Sequence, residues 1–169
     1  WWHPSMKFFG KDAYMVGDNS NEGYIPGNTE PLEMRTAREA EGAIKLAGLK
    51  ENAKILDVPC GYGRHSVHLA NKGYDVTGLD INEEHLNASR ERAGNVPVNF
   101  LRRDMRNIGS DLYNKFDSVF NLTLSFGFFD DADNQRTAKE FYNALKQGGK
   151  LVLHSDVSPE ILAGNHYKT

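Results

Sequence analysis

The chain has 169 residues, 39% of them hydrophobic and 25% charged, which fits one globular domain with a sizeable core. Its formal net charge of -3 offers no basic excess for nucleic acid or an anionic membrane surface, and no apolar run reaches the roughly 20 residues that cross a bilayer. The single cysteine, Cys60, excludes an internal disulfide and suits a reducing compartment; the opening Trp1–Lys7 lacks the layout of a secretory leader, so a cytoplasmic protein is expected.

Residues 1–31 are rich in turn chemistry, as at Asp18–Gly23 and Pro26–Asn28, with apolar anchors at Trp1, Trp2, Phe8, Phe9 and Tyr14. They read as an irregular N-terminal arm or lid, followed by a domain over residues 32–169. Leu32, Ala37, Ala40, Ile44 and Ala47 recur at helical spacing, so a helix is predicted over 32–47, with Pro31 suited to its first turn and Gly48 to its end. From there strand and helix alternate. Strands are predicted at Lys54–Val58, Tyr74–Asp80, Val98–Arg102, Phe116–Thr123 and Lys150–His154. Helices are predicted at 64–72, Glu83–Ala93 and Asp133–Lys146, the last closed by Gly148-Gly149. This alternation implies right-handed crossovers and a parallel sheet covered on both faces. Arg102, Arg103 and Arg106 read as strand-end charges in preference to a phosphate patch.

The most informative stretch runs from Asp57 to Ser66. A strand enters a tight turn at Gly61 and Gly63 and leaves as a helix, which places a ligand at the carboxyl ends of the strands. A dinucleotide fingerprint wants a third glycine where Ser66 stands. Asp57, before the turn, would repel a pyrophosphate and suit a ligand with a cationic amino group. Asp80, ending the second strand, is placed to accept from ribose hydroxyls. Asp104, after the third strand, is placed to accept from an adenine amine, with Met105 and Ile81 available to pack against the ring. Asn121 ends the fourth strand as a further binding candidate, or else satisfies local backbone groups.

Taken together, Ile55–His65, Gly78–Ile81 and Arg103–Met105 resemble the first three motifs of the class I S-adenosylmethionine (SAM)-dependent methyltransferases. Phe116–Asn121 resembles that family's fourth strand and Leu145–Leu153 its glycine pair and fifth strand. The resemblance covers roughly residues 35–156. It implies an α/β, three-layer Rossmann-like sandwich with a mainly parallel sheet of order 3-2-1-4-5; the family's usual C-terminal strands are not evident. It implies SAM as cofactor and S-adenosylhomocysteine as product. The implied cofactor-binding set is Asp57, Gly61, Gly63, Asp80, Ile81, Asp104, Met105 and Asn121, with no metal.

The implied activity is methyl transfer by in-line displacement to an unidentified acceptor, expected to be a small molecule. A noncatalytic SAM-binding module or another SAM-dependent enzyme is the alternative, and an NAD-dependent oxidoreductase a more distant one. Asn121–Leu124 departs from the Asn-Pro-Pro-Tyr type motif of enzymes that methylate DNA bases or protein glutamines. Tyr24, Thr36, Arg38, Arg64 and His65 are candidates for the methionine carboxylate or for covering the site. Ser125, His154 and Asp156 stand with Asn121 near the expected acceptor face, Phe126–Phe129 is a candidate pocket wall, and no catalytic residue is assigned.

Overall fold

The structure, a computed structural model, describes residues 30–154. The expectations placed on Trp1, Trp2, Phe8, Phe9, Tyr14 and Tyr24 in the arm, and on Asp156, lie outside the described residues.

The first helix, α1, spans Leu32–Ala47, with Glu33 in its first turn and Lys45 in its last, each complementing the helix dipole. Its buried stripe contains Ala40, Ala43 and Ala47, small side chains that let it lie close to its neighbours. It leads into β1 (Lys54–Asp57), α2 (Arg64–Asn71), β2 (Asp75–Asp80), α3 (Glu83–Ala93) and β3 (Val98–Arg102). A 3-10 turn at Ser110–Leu112 precedes β4 (Phe116–Asn121), α4 (Asp131–Ala144) and β5 (Leu145–Leu153). Asn82 caps α3 by accepting from the Glu84 N–H at 2.9 Å, and Asp130 caps α4 by accepting from the Asp133 N–H at 2.9 Å.

All five strands are parallel, in the order β3-β2-β1-β4-β5. Their apolar residues alternate between two covered faces, as a doubly covered parallel sheet requires. Leu56, Val58, Leu79 and Val119 pack against Phe141 and Ala144 of α4. Ile55, Val76 and Phe120 face the opposite way, onto Ala40, Ala43 and Ala47 of α1 and Leu69 and Ala70 of α2. Phe100 joins Cys60, Val67 of α2 and Leu86 and Ala93 of α3 on that second side. The three-layer sandwich and the strand order expected from the motifs are those observed.

One boundary differs from expectation in an instructive way. The helix predicted to run to Lys146 and stop at the glycine pair ends at Ala144, and β5 starts at once. The carbonyls of Asn143 and Ala144, which a helix end leaves without partners, accept from the N–H groups of Asn114 and Lys115 at 2.8 and 3.0 Å. The segment entering β4 therefore caps α4, and no glycine is needed for it. The glycines serve the ladder instead. Leu145 pairs with Phe116 and Lys150 with Ser118, so residues 146–149 bulge out between them, with Gly148 at φ +78°. Lys146 holds the bulge to β4 through Asp117 at 2.7 Å.

Candidate active site

The carboxyl ends of β1, β2 and β3 and the segment after β4 enclose an open cleft. Gly61, Asp80, Ile81, Asp104 and Met105 line it. Asp57, Gly63 and Asn121 do not; they lie behind the lining, where each fixes a piece of the floor.

Asp57 is 1% exposed and accepts from the Ser66 hydroxyl at 2.5 Å. The residue in the third-glycine place thus holds the acid that ends β1. Burial raises the Asp57 carboxyl to about 7, with the nearby Asp80 charge adding to the rise; the Ser66 hydrogen bond and the Arg64 charge oppose it. Gly63 has φ +76° and abuts Ser89 of α3 and Phe100 of β3. Asn121 is fully buried and donates from Nδ2 to the Val58 carbonyl at 2.7 Å, while its Oδ1 has no partner among the described residues.

Asp80 is the hinge pin of the site. Its Oδ2 accepts from the Gly61 N–H at 2.9 Å and its Oδ1 from the Asn82 N–H at 2.8 Å, joining the glycine turn to the start of α3. An ionised carboxylate offers about four acceptor positions. These two bonds leave room for further donors from the cleft that Asp80 lines.

Asp104 differs. It accepts from the Arg106 backbone N–H at 2.8 Å, from Arg106 Nε at 3.1 Å to each oxygen, and from Nη2 at 2.7 Å. Burial would raise this carboxyl, but the Arg106 hydrogen bonds outweigh it and hold it below its usual value. The other two arginines of that stretch are also engaged: Arg102 Nε donates to the Ile81 carbonyl at 3.1 Å and Arg103 pairs with Asp111 at 3.3 Å.

A second buried polar group crosses from α1 to α2. Arg64, 6% exposed, donates to Thr36 Oγ1 at 3.0 Å and Thr123 Oγ1 at 3.2 Å and pairs with Glu39 at 2.7 Å. His65 Nε2 meets the same Glu39 oxygen at 2.8 Å. Burial lowers His65 to about 4, so near neutrality its uncharged ring donates Nε2–H. Burial would raise Glu39, but His65 and Arg64 together hold it at about 2. Arg64 is therefore the cation of this group. Arg38, by contrast, turns outward to pair with Glu30 at 2.7 Å.

The segment after β4 carries backbone strain. Thr123 and Leu124 stand at φ +66° and +63°, a region that costs a residue other than glycine of order 1–3 kcal/mol. Thr123 is held there from two sides, accepting from Arg64 and donating its N–H to His154 Nδ1 at 3.3 Å. That bond requires an unprotonated Nδ1, which leaves the ring proton of neutral His154 on Nε2. Thr123, Ser125, Phe128 and Phe129 form this wall of the cleft. Cys60 also borders the cleft, and burial pushes its thiol pKa well up, as befits a filler in place of a nucleophile.

The profile of the family described as a methyltransferase domain matches residues 55–149, more than half of the chain. The chain belongs to that family. Its domain is 31% identical, over 86% of this chain and 59% of the relative, to the glycine/sarcosine N-methyltransferase of Aphanothece halophytica. It superposes on the PH0226 protein of Pyrococcus horikoshii with a TM-score of 0.66 and 27% identity, over 88% of this chain and 64% of that one. It superposes with a TM-score of 0.61 and 25% identity on the glycopeptide N-methyltransferase MtfA, whose structure is a complex with the SAM analogue sinefungin, over 68% of this chain and 51% of that one. The methyltransferase domain thus spans between about half and two thirds of the length of these proteins. Its fold is that of the class I SAM-dependent methyltransferases, and SAM is the cofactor of that class. No helix among the described residues is long and apolar enough to cross a membrane.

Asp57 makes a pH dependence testable. Its folded value, about 7, lies above the usual carboxylate value of 3.8. Between those values the folded state holds a proton that the unfolded state has lost, so stability from this group falls as pH rises through the window. The slope approaches about 1.4 kcal/mol per pH unit for a single proton. Urea unfolding at pH 5 and pH 8 is expected to show a larger loss in wild type than in Asp57→Asn. Equal losses would mean that Asp57 is ionised in the folded protein throughout.

Proposed function

We propose that this protein transfers the methyl group of SAM to a small-molecule acceptor, and that the acceptor atom is an amine nitrogen. The observation that carries the cofactor half is Asp80, whose carboxylate ties Gly61 to Asn82 and keeps acceptor capacity toward the cleft. Ribose hydroxyls are the donors that fit there. Ser66 stands where the third glycine of a pyrophosphate turn would be and is bonded to Asp57, which disfavours a pyrophosphate-bearing ligand. Gly61, Ile81 and Met105 would complete the binding surface, and Asn121, Gly63 and Asp57 would hold its shape from behind. The amine half draws on the relatives that are N-methyltransferases.

Bound SAM would supply an electrophilic methyl group on a sulfonium. The work of the chain is then to bind, orient and dry the site. The Arg64 network and the His154 contact fix the Thr123 backbone, and with it the wall an acceptor must meet. Phe128 and Phe129 would exclude water from that wall. An uncharged amine supplies its own electron pair and loses its proton afterwards, so no side chain is assigned as a base. The single cysteine suits a cytoplasmic setting.

The test is transfer of label from methyl-labelled SAM to a panel of glycine, sarcosine and amino sugars, with proteins and nucleic acids as controls. Labelled N-methyl product from a small amine is the expected result. Label that goes only to protein or nucleic acid would overturn the acceptor assignment.

A further inference from the structure

Arg106 takes no part in the reading above, yet it joins two walls of the cleft. On one side it grips Asp104, after β3, with its backbone N–H, Nε and Nη2. On the other, Nη1 donates to Asp133 Oδ2 at 2.6 Å, in the first turn of α4. Its guanidinium also lies over the Phe129 ring, with Cζ 4.5 Å from the ring centre. Phe129 belongs to the wall that follows β4. The three charged side chains are only 23–27% exposed, so water and salt screen them incompletely. Only a planar fork can hold one carboxylate through the two N–H groups of one edge and a second carboxylate with the remaining nitrogen while lying over a ring; a lysine ammonium cannot.

We infer that Arg106 is a positioning residue, a clasp through which occupancy of the adenine end of the cleft orders the acceptor-side wall, residues 122–130. The inference rests on the SAM reading above. Three N–H groups of Arg106, one of them shared between both oxygens, already occupy most of the acceptor positions of the Asp104 carboxylate. An amine arriving at Asp104 takes an acceptor position from the guanidinium, which then bears more fully on Asp133 and Phe129. Ligand contact at one wall thus becomes tighter packing at the other. By linkage, whatever the clasp contributes to order in the wall returns as affinity for the ligand.

Asp133 separates this role from direct binding, because it touches Arg106 but does not line the cleft. The experiment is amide hydrogen exchange on the full protein with and without S-adenosylhomocysteine, in wild type, Asp133→Asn, Arg106→Met and the rescue variant Asp133→Glu. In wild type and Asp133→Glu, the ligand is expected to slow exchange both at the Gly61–Gly63 turn and at residues 124–130. In Asp133→Asn and Arg106→Met it is expected to slow the turn alone. The dissociation constant should rise at least about threefold in each of those two, and the double variant should be no weaker than the worse single one, as for residues acting as a unit. Equal slowing of 124–130 in all four proteins, or additive losses in the double variant, would overturn the clasp. Ligand that fails to slow even the turn in wild type would refute the cofactor reading itself, and the clasp with it.

Discussion

Gly63→Ala is expected to destabilise the fold by about 2–5 kcal/mol, the sum of about 1–2 for a side chain in the left-handed region and about 1–3 for overpacking. Gly63 stands at φ +76°, and a methyl group there would lie 2.9 Å from Ser89 Cβ and 3.1 Å from Phe100 Cζ. Neither neighbour gives way easily. Ser89 is buried on α3, with its hydroxyl bonded to the Gly61 and His85 carbonyls at 2.9 Å each. Phe100 is buried on β3 between α2 and α3. The glycine thus lets the first turn of α2 come down on α3 and β3, and so sets the depth of the ligand turn. Gly42→Ala makes the opposite control, since Gly42 lies within α1 with nothing within 4 Å of an added methyl. That change is expected to stabilise by about 0.5–1 kcal/mol through helix propensity. Urea unfolding of both variants is the measurement. A Gly63→Ala protein as stable as wild type would show that α3 can retreat from α2.

Asp80→Ala is expected to weaken S-adenosylhomocysteine binding by about 1–3 kcal/mol, roughly five- to 150-fold in the dissociation constant. Two effects combine. The ribose loses its acceptor, and the N–H groups of Gly61 and Asn82 lose the carboxylate that aligns them. Asp80→Asn separates the two, because its carbonyl can keep one of the N–H contacts while the charge is gone; it is expected to fall between wild type and alanine. Calorimetric titration of the folded variants reads the effect. An unchanged dissociation constant in Asp80→Ala would place the ribose elsewhere.

What could be read from the sequence was what neighbouring residues decide among themselves. Val98–Arg102 is a strand and Glu83–Ala93 a helix because period, caps and terminal charges agree over a short span. The acids at Asp57, Asp80 and Asp104 stand out in the sequence for the same reason: each lies at or just after a strand end marked by local chemistry. What escaped was decided by pairs far apart in the chain. Glu39 meets Arg64 and His65, and Arg106 meets Asp133, through tertiary contacts that no local pattern announces. The early end of α4 belongs here too, since its partners come from Asn114 and Lys115. Thr123 and Leu124 escaped for another reason. A β-branched residue such as Thr123, or a bulky one such as Leu124, at positive φ runs against its own preference and is imposed by its surroundings. Locally, Phe116–Thr123 reads as one strand; in the fold it turns at Asn121, and the strained turn becomes a wall of the cleft.

The cleft beside Gly61 is expected to take SAM and to refuse a pyrophosphate-bearing cofactor. Parallel calorimetric titrations of the same protein with S-adenosylhomocysteine and with NAD test it most directly. Saturable binding of S-adenosylhomocysteine and far weaker binding of NAD are expected, because Ser66, bonded to Asp57, stands where a pyrophosphate turn needs its third glycine. NAD binding as tight as that of S-adenosylhomocysteine, or tighter, would contradict it.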